Sequence, residues 1–172
     1  MSDVFEPEGI VAALLAREVV FVVIGGFAAR LHGSPLLTGD IDVTPERSAE
    51  NLTRLSGALR DLDARVRHPD IPEGLPFGHD ATSLAASIFW NLTTRHGDLD
   101  ISFTPAGTEG YPDLAVSAMT ISIGAVLFPV ASLADIVRSK NAANRDKDRR
   151  ALPVLRELLA AQTLARAARD RP

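Results

Sequence analysis

The run Val19–Ile24 (VVFVVI) most constrains this chain. Six consecutive β-branched, aromatic or aliphatic residues with no polar alternation describe a strand buried on both faces, which requires a sheet covered by other layers. Gly25-Gly26 ends the run and Phe27–His32 reads as a short helix. A strand entering a helix through glycines exposes backbone N–H groups at a helix N-terminus, an arrangement that favours phosphate, and also makes a tight turn. After a loop opened by Gly33, Ser34 and Pro35 comes a short strand, Asp40–Val43.

Further along, Glu8–Arg17 has helical spacing, and Ser48–Leu62 is an amphipathic helix with Leu52, Leu55, Leu59 and Leu62 on one face. Residues 68–80 hold three prolines and two glycines and are expected to form a loop. Strands are expected over Ser87–Thr93 and Asp98–Phe103, joined by a tight turn at Arg95-His96-Gly97, and over Met119–Ile123, which a further apolar piece, Val126–Val130, follows. Ser132 suits the N-cap of a helix to about Ala143, and a last helix covers roughly Arg150–Arg169, with Pro153 in its first turn. With 172 residues and neither repeats nor a linker, the chain reads as a single domain with a C-terminal helical element at about 132–170.

Two acidic pairs carry chemistry. In Asp40-Ile41-Asp42 strand alternation turns both carboxylates to one face, where they repel unless a divalent cation lies between them. Oxygen ligands suit Mg²⁺ or Mn²⁺. Asp98-Leu99-Asp100 repeats the pattern; Asp100 is the better candidate for a third carboxylate, while Asp98 sits beside the turn. A metal site of this kind serves phosphoryl or nucleotidyl transfer. The string Lys140-Asn-Ala-Ala-Asn-Arg145-Asp-Lys147-Asp148 offers two cations for a triphosphate, with Asp148 able to order them or help activate a nucleophile. A basic helix terminus accounts for Lys147, Arg149 and Arg150 equally well.

Charge is uneven. Residues 1–137 hold 8 Lys/Arg against 18 Asp/Glu, net −10, and residues 138–172 hold 10 against 4, net +6. The basic end could attract phosphates or be a solvated face. The chain has no cysteine, which excludes disulfides and cysteine-held zinc. The acidic start lacks a signal-peptide n-region and no apolar run nears the roughly 18 residues of a membrane span, so a cytoplasmic protein without a membrane partner is expected. Trp90, Phe89, His32 and His96 read as packing or turn residues.

Taken together, GGFAARLHG, TGDID, LDIS and KNAANRDKD resemble the nucleotidyltransferase superfamily of the DNA-polymerase-β type, and within it the AbiEii-like toxins of toxin–antitoxin pairs. The resemblance runs from about Val19 to Leu159 and departs at Leu36, where many members carry arginine. It implies an α/β (α+β) nucleotidyltransferase fold, a mixed sheet flanked by helices. It implies Asp40, Asp42 and Asp100 as catalytic metal ligands for Mg²⁺ or Mn²⁺, and Asp148 as a further catalytic acidic position. Gly25, Gly26, Ser34, Thr38, Lys140 and Arg145 would bind an NTP. The implied activity is transfer of NMP to an acceptor hydroxyl with release of pyrophosphate, the acceptor being the tRNA 3′ end and a cognate antitoxin the partner. A protein or antibiotic acceptor, or an inactive nucleotide- or protein-binding module, are the alternatives. Thr38, just before Asp40, is a candidate for regulatory phosphorylation, which would add about −1.5 to −2 charge beside the carboxylates.

Overall fold

The computed structural model describes residues 4–170. Its elements, in chain order, are α1 (Pro7–Ala16), β1 (Phe21–Ile24), α2 (Gly25–Leu31), β2 (Asp40–Pro45), α3 (Ala49–Asp61), β3 (Arg65–His68), β4 (Ile71–Leu75), α4 (Ala81–Ala85), β5 (Phe89–Thr94), β6 (Gly97–Ser102), α5 (Tyr111–Leu114), β7 (Met119–Ile123), β8 (Val126–Val130), α6 (Leu133–Ala143) and α7 (Asp146–Arg169). The eight strands form one mixed sheet in the order β4-β3-β5-β6-β2-β1-β8-β7. Two pairings, β2 with β6 and β1 with β8, are parallel, and the others are antiparallel.

The apolar run of β1 lies between β2 and β8, and Phe21, Val22, Val23 and Ile24 are all buried. Alternation sorts the neighbouring strands by face. Ile41 and Val43 on β2 stand beside Leu99 and Ile101 on β6, and all four are at most 1% exposed. Asp40 and Asp42 point to the opposite face beside Asp98 and Asp100. The leucine stripe of α3 is buried as its spacing predicts. Ser48 caps α3, accepting from the Asn51 N–H at 3.3 Å.

Several boundaries differ from the sequence reading. Residues 71–75 are a strand, not a loop: β4 is the outermost strand, where Pro72 needs no partner on its outer side, and a shift of register accommodates the segment. Two short helices, α4 and α5, were not expected, being too brief for a helical period to register. Gly25 and Gly26 form the first turn of α2 instead of preceding it. The last helix starts at Asp146, so Pro153 lies inside it; being exposed, it simply fails to donate to the Arg149 carbonyl. Among the described residues no helix is long and apolar enough to cross a membrane.

Buried Asn51 ties α3 to the sheet. It accepts from Val20 N–H (2.7 Å) and donates to the Val20 and Glu46 carbonyls (2.8 and 2.7 Å). Asn51→Ala strands the Val20 N–H and the Glu46 carbonyl, while the Val20 carbonyl keeps the Glu46 N–H at 2.9 Å, and is expected to cost about 2 kcal/mol. Urea denaturation followed by circular dichroism measures this; a loss below about 1 kcal/mol would mean that water replaces the amide.

Candidate active site

The parallel pairing of β2 and β6 sets Asp40 against Asp98 and Asp42 against Asp100, a two-by-two array of carboxylates on one sheet face. Strand spacing is under 5 Å, so the four charges work against one another. Burial, followed by the charges of Asp40 and Asp100, pushes the Asp42 carboxyl up to about 7, and Lys147 and Lys140 offset only part of this. Asp100 is also raised, chiefly by burial, against the pull of Arg67.

The array borders a cavity of about 530 Å³ lined by Gly25, Gly26, Ser34, Leu36, Leu37, Thr38, Asp40, Asp42, Ser102, Lys140, Arg145 and Lys147, among others. Residues from the ends of β1 and β2, the intervening loop, and the α6–α7 junction therefore meet here, although more than 100 positions separate the first from the last.

The glycines make room for this arrangement. Gly25 has φ +77, and a Cβ on it would overlap the Asp42 carboxylate. A Cβ on Gly26 would sit 3.0 Å from Thr38 Oγ1. The pair thus clears space for two side chains of the site and borders the cavity. Thr38 in turn donates to Asp40 Oδ1 at 2.7 Å and so fixes that carboxylate. Ser34 is buried, and its Oγ accepts from the Leu36 N–H at 3.3 Å, shaping the loop along the cavity wall.

The opposite wall is cationic. Asn144, in the left-handed conformation, closes α6, and α7 begins two residues later. Asp148, fully closed from solvent, accepts from Arg145 Nε (2.6 Å) and Nη2 (3.3 Å) and from Lys140 Nζ (3.2 Å). Burial alone would raise the Asp148 carboxyl, but the Arg145 hydrogen bonds and the Lys140 charge outweigh it and hold the group below the ordinary aspartate range. Asp148 therefore orders the two cations. Asp148 itself is buried and is not part of the cavity lining.

Two residues escaped the sequence reading. Lys147, read as a solvated helix end, lines the cavity and acts on Asp42 more strongly than Lys140 does. Arg67, on β3, pairs with Asp98 and Asp100 at 3.2 and 2.9 Å. No local signal marks Arg67, since only the strand order brings it to the array; Lys147 is the second residue of α7, within the Lys140–Asp148 string. Asp100 stands next to Asp42 in register but turns one oxygen to Arg67 and is not part of the cavity lining. Trp90 stacks on Phe77 (5.4 Å between centroids), Phe89 is exposed, His32 meets the Ala131 carbonyl at 2.8 Å, and His96 pairs with Glu6.

The donor set suits a hard divalent cation. Among the described residues no donor hydrogen-bonds Asp42, and a carboxylate raised by burial and then by its acidic neighbours is relieved by positive charge. No three His, Cys, Asp or Glu side chains among the described residues already converge on one point.

Solved structures with the same architecture exist. The chain superposes on the lincosamide antibiotic adenylyltransferase LnuA bound to lincomycin (TM-score 0.58, 12% identity, 90% of this chain and 99% of that one). It also superposes on the antibiotic-resistance factor ANT(2'')-Ia (TM-score 0.55, 17% identity, 94% and 91%). The fold is that of the nucleotidyltransferases. A candidate nucleotidyltransferase from Thermotoga maritima, TM1012, is likewise similar (TM-score 0.50, 18% identity, 99% and 98%). No protein-family model matches the sequence, and neither does any curated protein.

The raised Asp42 carboxyl gives a pH signature. With a folded value of about 7 against 3.8 unfolded, there is no penalty below pH 4; it grows as pH rises and is complete above 7. Without divalent ions the wild type should lose on the order of 2–4 kcal/mol of stability from this group between pH 4 and 8. Asp42→Asn should lack that loss and be the more stable protein at pH 8. Urea melts of both proteins across this range check it; parallel pH profiles would place Asp42 at an ordinary carboxylate value.

Proposed function

We propose that the protein is a divalent-metal-dependent nucleotidyltransferase that transfers NMP from an NTP to an acceptor hydroxyl. The observation that carries this reading is the carboxylate array facing a cationic wall across one cavity, on the nucleotidyltransferase fold. Asp40 and Asp42 would hold Mg²⁺ or Mn²⁺, with Asp100 as a third ligand. The cation would supply charge neutralisation at the phosphoryl oxygens. Lys140, Arg145 and Lys147 would bind the triphosphate, and Asp148 keeps the first two of these aligned. Gly25, Gly26 and Ser34 shape the phosphate-facing wall. The acceptor hydroxyl attacks the α-phosphorus and loses its proton, a new ester bond forms, the α–β bridging bond breaks and pyrophosphate leaves.

For the acceptor, the exposed arginines of α7 (Arg149, Arg150, Arg156, Arg166 and Arg169) favour a polyanion, and we assign the tRNA 3′ end. A nucleotidyltransferase that blocks tRNA would inhibit growth and need a cognate antitoxin. The second reading, an antibiotic acceptor, is supported by the likeness to LnuA and ANT(2'')-Ia. Thr38 fits a control point: phosphorylation would remove its bond to Asp40 and add negative charge beside Asp42.

The deciding experiment incubates protein and Mg²⁺ with each α-labelled NTP, offering total tRNA, total protein, a lincosamide or an aminoglycoside. Label is expected on tRNA. Labelling of a drug alone would establish the second reading, and no labelling of any acceptor would remove the enzyme reading.

Variants sharpen this. Asp40→Ala and Asp42→Ala are expected to abolish transfer in folded protein, by at least about 10³-fold. Lys140→Ala and Lys147→Ala should each raise the KM for NTP about tenfold, a factor worth roughly 1.4 kcal/mol of binding. Arg149→Ala, which lies outside the cavity lining, should change it less than about twofold. Equal losses at all three positions would point instead to a diffuse basic patch.

A further inference from the structure

Arg67 sits where a divalent cation would be expected to act. From β3 it reaches across β5: its Nη2 donates to Asp100 Oδ1 at 2.9 Å and to the Leu92 carbonyl at 3.0 Å. Its Nε lies 3.2 Å from Asp98 Oδ2, close enough for charge attraction but out of line for a hydrogen bond, so that buried N–H has no acceptor. One guanidinium thus neutralises the β6 half of the array. The β2 half has no such partner: Asp40 receives only the Thr38 hydroxyl, and no donor among the described residues reaches Asp42.

We infer that Arg67 is a resident counter-cation of Asp98 and Asp100, which a divalent ion must displace before Asp100 can become its ligand. The inference rests on the metal-site reading given above. Three features support it. A guanidinium and a divalent ion cannot both neutralise the same carboxylate oxygen at full strength, because they repel each other. The pose of Arg67 leaves one donor unfilled, so it is not held on every side. Its side chain is about one-third exposed, and exposed Asn91 stands beside Asp100 in register, so the guanidinium has solvent to swing into. This arrangement also explains why three carboxylates lie side by side without converging on one point among the described residues. Arg67 is then a positioning residue: with it in place a cation finds Asp40 and Asp42, and with it displaced a cation finds Asp100 as well.

The test is Mn²⁺ binding to the full chain without nucleotide, followed by calorimetry and by the Mn²⁺ spin-resonance signal. Wild type, Arg67→Ala, Asp100→Asn and the double variant form a cycle. Arg67→Ala should tighten Mn²⁺ binding five- to tenfold. Asp100→Asn should weaken binding less than threefold in the wild type but reverse the whole gain in the Arg67→Ala background. Arg65→Ala removes a cation from the same strand that pairs with Asp63, and should leave affinity unchanged. Arg67→Met, which keeps the stem, replaces Arg67→Ala if thermal melts show the latter unfolded. Equal effects of Asp100→Asn in both backgrounds, or the same gain from Arg65→Ala, would overturn the inference while sparing the metal site. Undiminished Mn²⁺ binding by Asp42→Asn would overturn the metal reading, and this inference with it.

Discussion

Four carboxylates in register across β2 and β6 repel one another, and the surrounding architecture is organised about that repulsion. Isolated on a partly buried face they could not all remain ionised at neutral pH. The raised Asp42 carboxyl reflects burial first, and then the charges of Asp40 and Asp100 that the protein's own cations offset only in part. Those cations arrive from two directions: Arg67 from the β3 side of the sheet, and Lys140, Arg145 and Lys147 from the α6–α7 junction.

The cationic wall has its own internal order. A lysine and an arginine facing a cavity would repel each other and sample many rotamers. Asp148 joins them from behind, and because it is closed from solvent its attraction is little screened. A buried carboxylate is expensive unless paired, and here two partners compensate it. Lys140 comes from α6 and Asp148 from α7, so this pairing also links the two helices across the turn at Asn144.

Much of this was legible in the sequence, wherever the signal is local. The β1 run, the leucine stripe of α3, strand β7 and the Ser132 cap follow from spacing within a dozen residues. The acidic pairs were legible for the same reason, since strand alternation fixes which way Asp40 and Asp42 turn relative to Ile41. What depends on distant contacts was not. β4 carries Pro72 and Gly74, which read as loop because only its place at the sheet edge makes them tolerable. Arg67 looks like any other strand arginine until the order β3-β5-β6 brings it to Asp100. Gly25 and Gly26 attracted notice as a ligand cradle, whereas their tightest neighbours are the side chains of Asp42 and Thr38.

The parallel pairing of β1 with β8 has a bearing on how the molecule is made. It joins Val23 to Val130 and thereby delivers α6, with its lysine, to a site whose carboxylates were synthesised long before. A growing chain that has reached Ser102 already holds both acidic pairs, but none of the cations from the α6–α7 junction. Non-local parallel contacts are slow to form. The nascent chain therefore carries the acidic half of the cavity for the time taken to translate some forty further residues, and the cavity can close only once the α6–α7 junction has been made.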